Sequence, residues 1–276
     1  MDLMTHWQLR ERPFEATWDA RFFYASEEHN EALNRLLYLV NEQSMTAGML
    51  SGEIGCGKTL TRAVFAERLD PSRFCVVSLE NSGFEFIELL TAAVNRLEVS
   101  LAHDPRTKFE LCELFEQALH QLHGQGRHLV LLLDEAQDMP AATLRELRWL
   151  TNFNGGGCAY LTLVLIGQPE LWRLVAADAA IDQRISLRFH LPPLRRCDVA
   201  PYLRHRLHVA GHSDGEIFTE TSGELLYTAA RGIPREVNRL AKLALEQAWL
   251  VEAPRVEPSA IEAVVRDLRK HQSIAA

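Results

Sequence analysis

A glycine-rich octapeptide between a short apolar run and a helical pattern is the strongest constraint on the fold of this chain. It reads Gly52-Glu53-Ile54-Gly55-Cys56-Gly57-Lys58-Thr59 and matches G-x-x-x-x-G-K-[ST] at every fixed position. The apolar run before it ends at Leu50. In this context glycines let several backbone N–H groups converge on one phosphate, and the following helix adds its positive end. The pattern predicts a strand, a phosphate-binding loop and a helix in succession.

The octapeptide also supplies residues that are expected to hold a nucleotide and its metal. Lys58 is expected to reach the β and γ phosphates, and Thr59 is expected to ligate Mg²⁺. The predicted cofactors are therefore ATP and Mg²⁺. The predicted nucleotide contacts are Gly52, Glu53, Ile54, Gly55, Cys56, Gly57, Lys58, Thr59 and Leu60.

Five short apolar runs alternate with helical patterns, which is typical of buried parallel strands joined by helices. The predicted strands are Ala47 to Leu50, Phe74 to Leu79, Leu129 to Leu133, Tyr160 to Ile166 and Ile185 to Leu191. Pro192 and Pro193 then interrupt the chain, and only helical periodicity follows. The predicted helices there are Asp198 to Ala210, Gly223 to Ala230, Arg235 to Val251 and Pro258 to Lys270. The sequence therefore predicts an α/β fold with a parallel five-stranded sheet sandwiched by helices, followed by a small all-helical domain. The predicted division is an N-terminal segment (residues 1–44) packing on the core, an α/β core (45–193) and a helical domain (194–276).

Two carboxylates follow the apolar strand that ends at Leu133. Ligands of parallel sheets bind beyond the carboxyl ends of the strands, so Asp134 is expected to face the phosphate loop. Asp134 would hold Mg²⁺ through water, and Glu135 would polarise the attacking water. The alternative is a solvated strand end or a helix cap.

Four further polar residues occupy positions where they can act on a phosphate. Gln168 follows a predicted strand and is expected near the γ-phosphate, or else it belongs to a turn set by Gly167 and Pro169. Arg184 and Arg188 flank the start of the last predicted strand, where surface ion pairs are the alternative. Arg235 begins a long helical pattern and is expected to reach back to the nucleotide.

Together these segments resemble the AAA+ ATPases, and within them the ExeA/GspA type II secretion assembly and MshM-like pilus-biogenesis group. The resemblance extends from Trp7-Gln8-Leu9-Arg10-Glu11-Arg12-Pro13-Phe14 through Asp134-Glu135-Ala136-Gln137 and Gly167-Gln168-Pro169-Glu170 to Gly232-Ile233-Pro234-Arg235. It implies a P-loop NTPase core followed by a helical lid. It also implies that Gln168 is the sensor 1 residue, that Arg235 is the sensor 2 arginine, and that Pro13 and Phe14 lie against the adenine unless they merely pack.

The same resemblance implies a homo-oligomer. Arg184 would be an arginine finger offered to the nucleotide of the neighbouring subunit, with Arg188 and Arg173 as the alternatives. The predicted catalytic residues are thus Glu135, Lys58, Arg184, Gln168 and Arg235. A finger supplied in trans makes ATP hydrolysis depend on assembly.

Composition and charge limit the classes of protein to which the chain can belong. The chain has a net charge of −8, which disfavours nonspecific binding of nucleic acid, and its five cysteines include no C-x-x-C pair. No apolar run approaches the length needed to span a bilayer, and the N-terminus lacks a signal-like apolar region. We therefore expect reduced thiols and a cytoplasmic location, peripheral at the inner membrane where a partner supplies the anchor.

The resemblance implies two alternative functions. The first is an ATP-hydrolysing assembly motor or switch for a secretion or pilus system, with a membrane-associated partner protein. The alternative is a DNA-binding transposition regulator similar to TniB, TnsC and MuB. That alternative needs a basic face, and the cluster that could form one is Arg195, Arg196, Arg204, His205, Arg206 and His208.

Overall fold

The computed structural model describes residues 2–80, 83–97, 107–155 and 157–274. The chain forms two compact units. The sheet unit comprises Asn30–Ile54 and Thr61–Leu191, and the helical unit comprises Met1–His29, Gly55–Leu60 and Pro192–Ala276. The boundaries predicted near residues 44 and 193, and the packing of residues 1–44 on the core, stay predictions.

A five-stranded parallel sheet forms the centre of the sheet unit, with the strand order β2-β3-β6-β1-β7. A two-stranded antiparallel ribbon, β4 with β5, lies outside it. The strands in chain order are β1 (Ala47–Gly52), β2 (Phe74–Leu79), β3 (His128–Leu133), β4 (Asn154–Gly155), β5 (Cys158–Ala159), β6 (Leu161–Gly167) and β7 (Ile185–Leu191). The five predicted strands are thus confirmed, and they carry continuous apolar runs because both faces of the central strands are buried.

Helices cover both faces of this sheet. The helices in the first part of the chain are α1 (Leu3–His6), which belongs to the helical unit, α2 (Glu27–Asn41), α3 (Lys58–Arg68), α4 (Phe86–Arg96), α5 (Lys108–Gly124), α6 (Ala141–Leu150), α7 (Glu170–Ala176) and α8 (Ala179–Asp182). Helices α4 to α8 share one apolar core with alternate strand residues such as Leu131 and Leu163. Helix α2 covers the opposite face, where Leu39 leaves no room for a Cβ on Gly48. The predicted α/β sandwich is confirmed.

Four helices build most of the helical unit. They are α9 (Arg196–Val209), α10 (Glu220–Ala230), α11 (Pro234–Leu250) and α12 (Pro258–Ile274). Their buried residues form a second core, to which Trp7, Leu9 and Phe14 of the N-terminal segment also belong. The prediction placed the start of α10 at Gly223. It begins earlier because the Thr219 hydroxyl accepts the backbone N–H of Ser222 and so caps the helix.

No helix in the described part of the chain combines the length and apolarity needed to cross a membrane. The five cysteines are all described and form no disulfide. Each of the two units is stabilised by its own apolar core rather than by covalent cross-links.

Candidate nucleotide-binding and hydrolysis site

The second half of the phosphate loop adopts backbone conformations with positive φ, which glycine allows. Gly55 and Gly57 have φ angles of +85° and +98°, a region that residues with a Cβ rarely adopt. Between them, the Cys56 carbonyl accepts a hydrogen bond of 3.0 Å from Nε2 of His29. Helix α3 begins at Lys58, directly after this turn. The loop therefore leads into a helix N-terminus, where backbone N–H groups attract anions.

The buried His29 ring forms a hydrogen bond to this loop, and its two partners define the tautomer of the ring. A carbonyl only accepts, so Nε2 carries the hydrogen toward Cys56, and Nδ1 accepts from the Ser26 hydroxyl at 2.8 Å. Burial lowers the pKa of His29, and the bond to the Cys56 carbonyl opposes that shift. The ring is neutral at pH 7, and a Cβ on Gly57 would lie 3.0 Å from its Nε2.

Arg235 contacts the same loop through its backbone. Its N–H donates to the Gly55 carbonyl at 3.2 Å, and it stands in the first turn of α11. A Cβ on Gly55 would lie only 2.7 Å from the Cβ of Arg235. The structure thus brings the predicted sensor 2 residue together with the phosphate loop inside the helical unit, while its role toward ATP stays a prediction.

In the sheet unit, three strands present polar residues at one edge. The parallel strands β3, β6 and β1 lie side by side, so Asp134, Gln168 and the loop residues after Gly52 follow neighbouring carboxyl ends. Asp134 is buried, its Oδ1 accepts the N–H of Glu135 at 3.0 Å, and its Oδ2 lies 3.3 Å from Nε of Arg62. Asp134, the predicted metal ligand, therefore has a backbone N–H beside one carboxylate oxygen and a buried arginine beside the other.

Glu135 adopts a left-handed backbone conformation, with φ +51° and ψ +39°. For a residue with a side chain this conformation costs roughly 1–2 kcal/mol, and such strain concentrates at functional sites. Its Oε2 accepts from Nε2 of Gln137 at 2.9 Å and, at a longer 3.5 Å, from Nε2 of Gln168. The structure thus brings Glu135 and Gln168 together, as the two predicted roles require.

The oxygen donors at this edge suit Mg²⁺. Mg²⁺ prefers carboxylate, hydroxyl and phosphate oxygens and keeps several waters, so it needs no cage of protein ligands. Within the described residues no cluster of three or more histidine, cysteine or acidic side chains forms such a cage. The Asp134 carboxylate at this edge is an oxygen donor of this kind, and so, within the helical unit, is the Thr59 hydroxyl.

The three arginines considered as fingers differ in their surroundings. Arg184 is half-buried and donates to the Thr151 hydroxyl at 2.7 Å. Arg188 pairs with the Asp182 carboxylate at 2.7 Å, as expected of a surface ion pair. Arg173 is exposed on α7. A neutral hydroxyl holds Arg184 less strongly than a carboxylate holds Arg188. Arg184 therefore stays the first candidate for the arginine finger.

Pro13 and Phe14 pack within the helical unit. The Pro13 carbonyl accepts from Nε of Arg206, and the Phe14 ring meets Phe218 edge to face at 5.8 Å. Phe14 is only 4% exposed. The packing role is therefore present in the structure, and the adenine contact stays a prediction.

The basic cluster that the DNA hypothesis requires is largely compensated by acidic partners. Arg195 pairs with Glu27, Glu28 and Asp198, and Arg196 pairs with Glu224. Arg206 is buried against the N-terminal segment. Burial lowers the pKa of His205, whose Nε2 donates to a backbone carbonyl. These contacts leave little uncompensated charge on α9 for phosphates.

Sequence comparison supports what the motifs and the sheet order indicate. Residues 29–175, more than half of the chain, match the AAA domain family. The chain belongs to the AAA+ family. This AAA+ protein is 34% identical to General secretion pathway protein A of Aeromonas hydrophila over 243 residues, which cover 87% of the chain and 44% of that relative. The chain thus spans less than half the length of the curated relative that it matches.

Solved structures share the fold at low sequence identity. The ORC2 protein of Aeropyrum pernix has a TM-score of 0.68 at 16% identity, covering 90% of this chain and 71% of that one. The RuvB Holliday junction branch migration motor of Thermotoga maritima has a TM-score of 0.57 at 16% identity, covering 89% and 70%. At these identities the comparison supports the fold alone.

Three residues that contact the predicted site residues have no role that the sequence predicts. They are His29, Gln137 and Arg62. Gln137 ends one of the quoted family segments and His29 lies outside them, and nothing in their spacing shows which group each would bond. Arg62 lies one turn into α3 and reads as an ordinary helix-surface residue. Its buried position beside Asp134 depends on the pairing of β2 with β3, which no local pattern reveals.

Proposed function

We propose that this AAA+ protein binds ATP with Mg²⁺ and hydrolyses it. The observation that carries the proposal is the strained Glu135 at the end of β3, one carboxylate oxygen of which is held by amide groups of Gln137 and Gln168. A carboxylate fixed at the carboxyl edge of a parallel sheet, next to a complete phosphate-loop sequence, suits the activation of water.

In this proposal each side chain has a defined task. The loop N–H groups and Lys58 would hold the phosphates. Thr59 and Asp134 would hold Mg²⁺, which when bound would supply positive charge for the phosphate oxygens. Glu135 accepts a proton from water while the water oxygen bonds to the γ-phosphorus. The bond from that phosphorus to the bridging oxygen breaks, and ADP and inorganic phosphate leave. Gln168 and Arg235 are the residues proposed to contact the γ-phosphate.

We further propose that the chain works as an oligomer, in which Arg184 of one protomer completes the site of the next. This role needs a guanidinium that can leave its resting contact, and among the described residues the Arg184 guanidinium donates to the neutral hydroxyl of Thr151. The relative's name, General secretion pathway protein A, supports a role as an assembly motor or switch for a secretion or pilus system with a membrane-associated partner.

The test is steady-state ATP hydrolysis measured against protein concentration, with Lys58→Ala as the blank. We expect turnover per protomer to rise with concentration, and Arg184→Ala to remove that rise while ATP binding persists. Arg188→Ala is the matched control and should retain it. Turnover that is independent of concentration contradicts the role in trans.

Duplex DNA provides the second arm of the same assay. Because acidic partners compensate Arg195 and Arg196, and Arg206 is buried, we expect DNA at moderate salt to leave turnover unchanged. Stimulation that depends on Arg204, and that falls steeply as salt rises, would favour the transposition-regulator function instead.

A further inference from the structure

The Gln137 side chain connects the two residues that are proposed to act on the γ-phosphate. Its Nε2 donates to Oε2 of Glu135 at 2.9 Å, and its Oε1 accepts the backbone N–H of Gln168, also at 2.9 Å. Gln137 belongs to the short 3₁₀ turn Ala136–Asp138, directly after Glu135. One amide group therefore joins the ends of two neighbouring strands, β3 and β6.

The orientation of this amide is determined by its partners. The Gln168 N–H can only donate, so the amide oxygen of Gln137 must face it, and the nitrogen then faces the carboxylate. The amide also packs tightly on Gly167, where an added Cβ would lie 2.6 Å from Oε1. Turning the amide over would place two donors together at one end and two acceptors at the other.

The two oxygens of the Glu135 carboxylate consequently have different surroundings. Oε2 receives both amide donors, those of Gln137 and Gln168. Across the described parts of the chain, Oε1 has no hydrogen-bond partner. A carboxylate anchored through one oxygen presents the other in a fixed direction, and a fixed base increases the rate because less orientation remains to be found during the reaction.

We propose that Gln137 is a positioning residue for ATP hydrolysis, which holds Glu135 so that Oε1 takes the proton from the attacking water. The inference rests on the proposed function, because it assigns Glu135 as the base. Gln137 itself contacts neither water nor phosphate in this mechanism. Its donor toward Glu135 carries the effect, and its acceptor toward Gln168 supports the turn.

Two near-isosteric variants separate the donor from the acceptor. Gln137→Met removes both, whereas Gln137→Glu keeps an oxygen for the Gln168 N–H but places an acceptor against Glu135. We expect kcat to fall about 10- to 100-fold in both variants, with the KM for ATP and the Kd of a fluorescent ATP analogue within about twofold of wild type. Gln121→Met, an exposed glutamine on α5, is the matched control and should leave both constants unchanged.

Three activity results would overturn the inference. Wild-type kcat in Gln137→Met removes any role for the amide. Wild-type kcat in Gln137→Glu assigns the effect to the support of the Gln168 turn instead. A higher kcat in Gln137→Met means that the amide restrains Glu135 away from water. If the wild-type protein itself does not turn over ATP, the proposed function fails, and the inference about a positioned base fails with it.

A measurement without nucleotide separates a failure of the geometry from a failure of the function. Hydrogen exchange followed by NMR reports the backbone N–H of Gln168 and the side-chain amide of Gln137. We expect Gln168 to be protected in wild type and Gln137→Glu but not in Gln137→Met, and Glu135→Ala to accelerate exchange of the Gln137 side-chain amide. An unprotected Gln168 N–H in wild type contradicts the bridge even if ATP is hydrolysed.

Discussion

Nε of Arg62 lies 3.3 Å from Oδ2 of Asp134, and both side chains are buried, at 8% and 4% exposure. Arg62 also reaches the Ser78 hydroxyl and the Glu80 carboxylate on and after β2. The negative charge of Asp134, the predicted Mg²⁺ ligand, is thus partly compensated by Arg62.

Loss of the Arg62 guanidinium is expected to destabilise the protein, because it leaves a buried carboxylate without its partner. Breaking such a pair from one side costs about 3–5 kcal/mol. We predict a loss of this size in the free energy of unfolding of Arg62→Met, measured by urea denaturation. Arg68→Met, at an exposed position of the same helix, should change it by less than about 1 kcal/mol.

A double variant tests whether the pair is the cause. Removing the carboxylate charge as well, in Arg62→Met with Asp134→Asn, should recover part of the lost stability. A strictly additive double variant would show that Arg62 acts through Ser78 and Glu80 instead.

His29 should control the affinity for nucleotide through the Cys56 carbonyl. His29→Leu removes this donor, and the loss of one buried hydrogen bond costs about 1–2 kcal/mol. If the loop loses that amount of order, ATP binds about 5- to 30-fold more weakly. Binding of a fluorescent ATP analogue measures this, with His120→Leu at an exposed position as the control. Equal affinities for the two variants would show that the loop keeps its conformation without His29.

His128 predicts a pH dependence of stability. Its ring donates from Nδ1 to the Ala159 carbonyl and accepts at Nε2 from the Thr162 hydroxyl, and burial lowers its pKa from 6.5 to about 4. The unfolded chain therefore takes up the proton first as pH falls. The contribution of His128 is complete above pH 6.5 and decreases toward pH 4, by about 2 kcal/mol between pH 7 and pH 5.

Urea denaturation of wild type and His128→Gln at those two pH values isolates this contribution. The variant should lose less stability than wild type on going from pH 7 to pH 5. An equal loss would show that other groups, such as His29, account for the dependence.

Gly55 should tolerate substitution less well than another glycine with a similar backbone. Gly55→Ala combines an unfavourable φ of +85° with a contact of 2.7 Å to Arg235. Gly126 has a φ of +73° and no atom within 4 Å of an added Cβ, so Gly126→Ala reports backbone strain alone, about 1 kcal/mol. We predict that Gly55→Ala loses more stability than Gly126→Ala does. We also predict that Gly55→Ala weakens ATP binding and that Gly126→Ala does not. Similar effects in both variants would remove the Arg235 contact as a constraint.

The sheet could be predicted from the sequence because its central strands are buried on both faces. Leu129 to Leu133 carry no polar residue at all, and such a run between helical patterns has few alternatives. The short helices α7 and α8 have no clear sequence signal, since a helix of one or two turns shows too little periodicity. The helix α10 starts before its predicted first residue because the Thr219 hydroxyl caps it.

The site was predictable where a motif fixes the chemistry and unpredictable where contacts cross between strands. Spacing alone identified Lys58, Thr59, Asp134 and Glu135 as candidates. The bridge from Gln137 to Gln168 requires β3 beside β6, and those residues are separated by a whole crossover. The Arg62 ion pair likewise depends on tertiary structure, because arginine on a helix is normally solvated.

ATP binding and turnover by wild type, Lys58→Ala and Glu135→Gln provide the most direct test of the central claim. Glu135→Gln retains the shape of the side chain but cannot accept the proton from water. The account predicts that it binds ATP as wild type does while turnover falls at least about 100-fold, and that Lys58→Ala loses binding. Turnover in Glu135→Gln at the wild-type rate would contradict the assignment of Glu135 as the base.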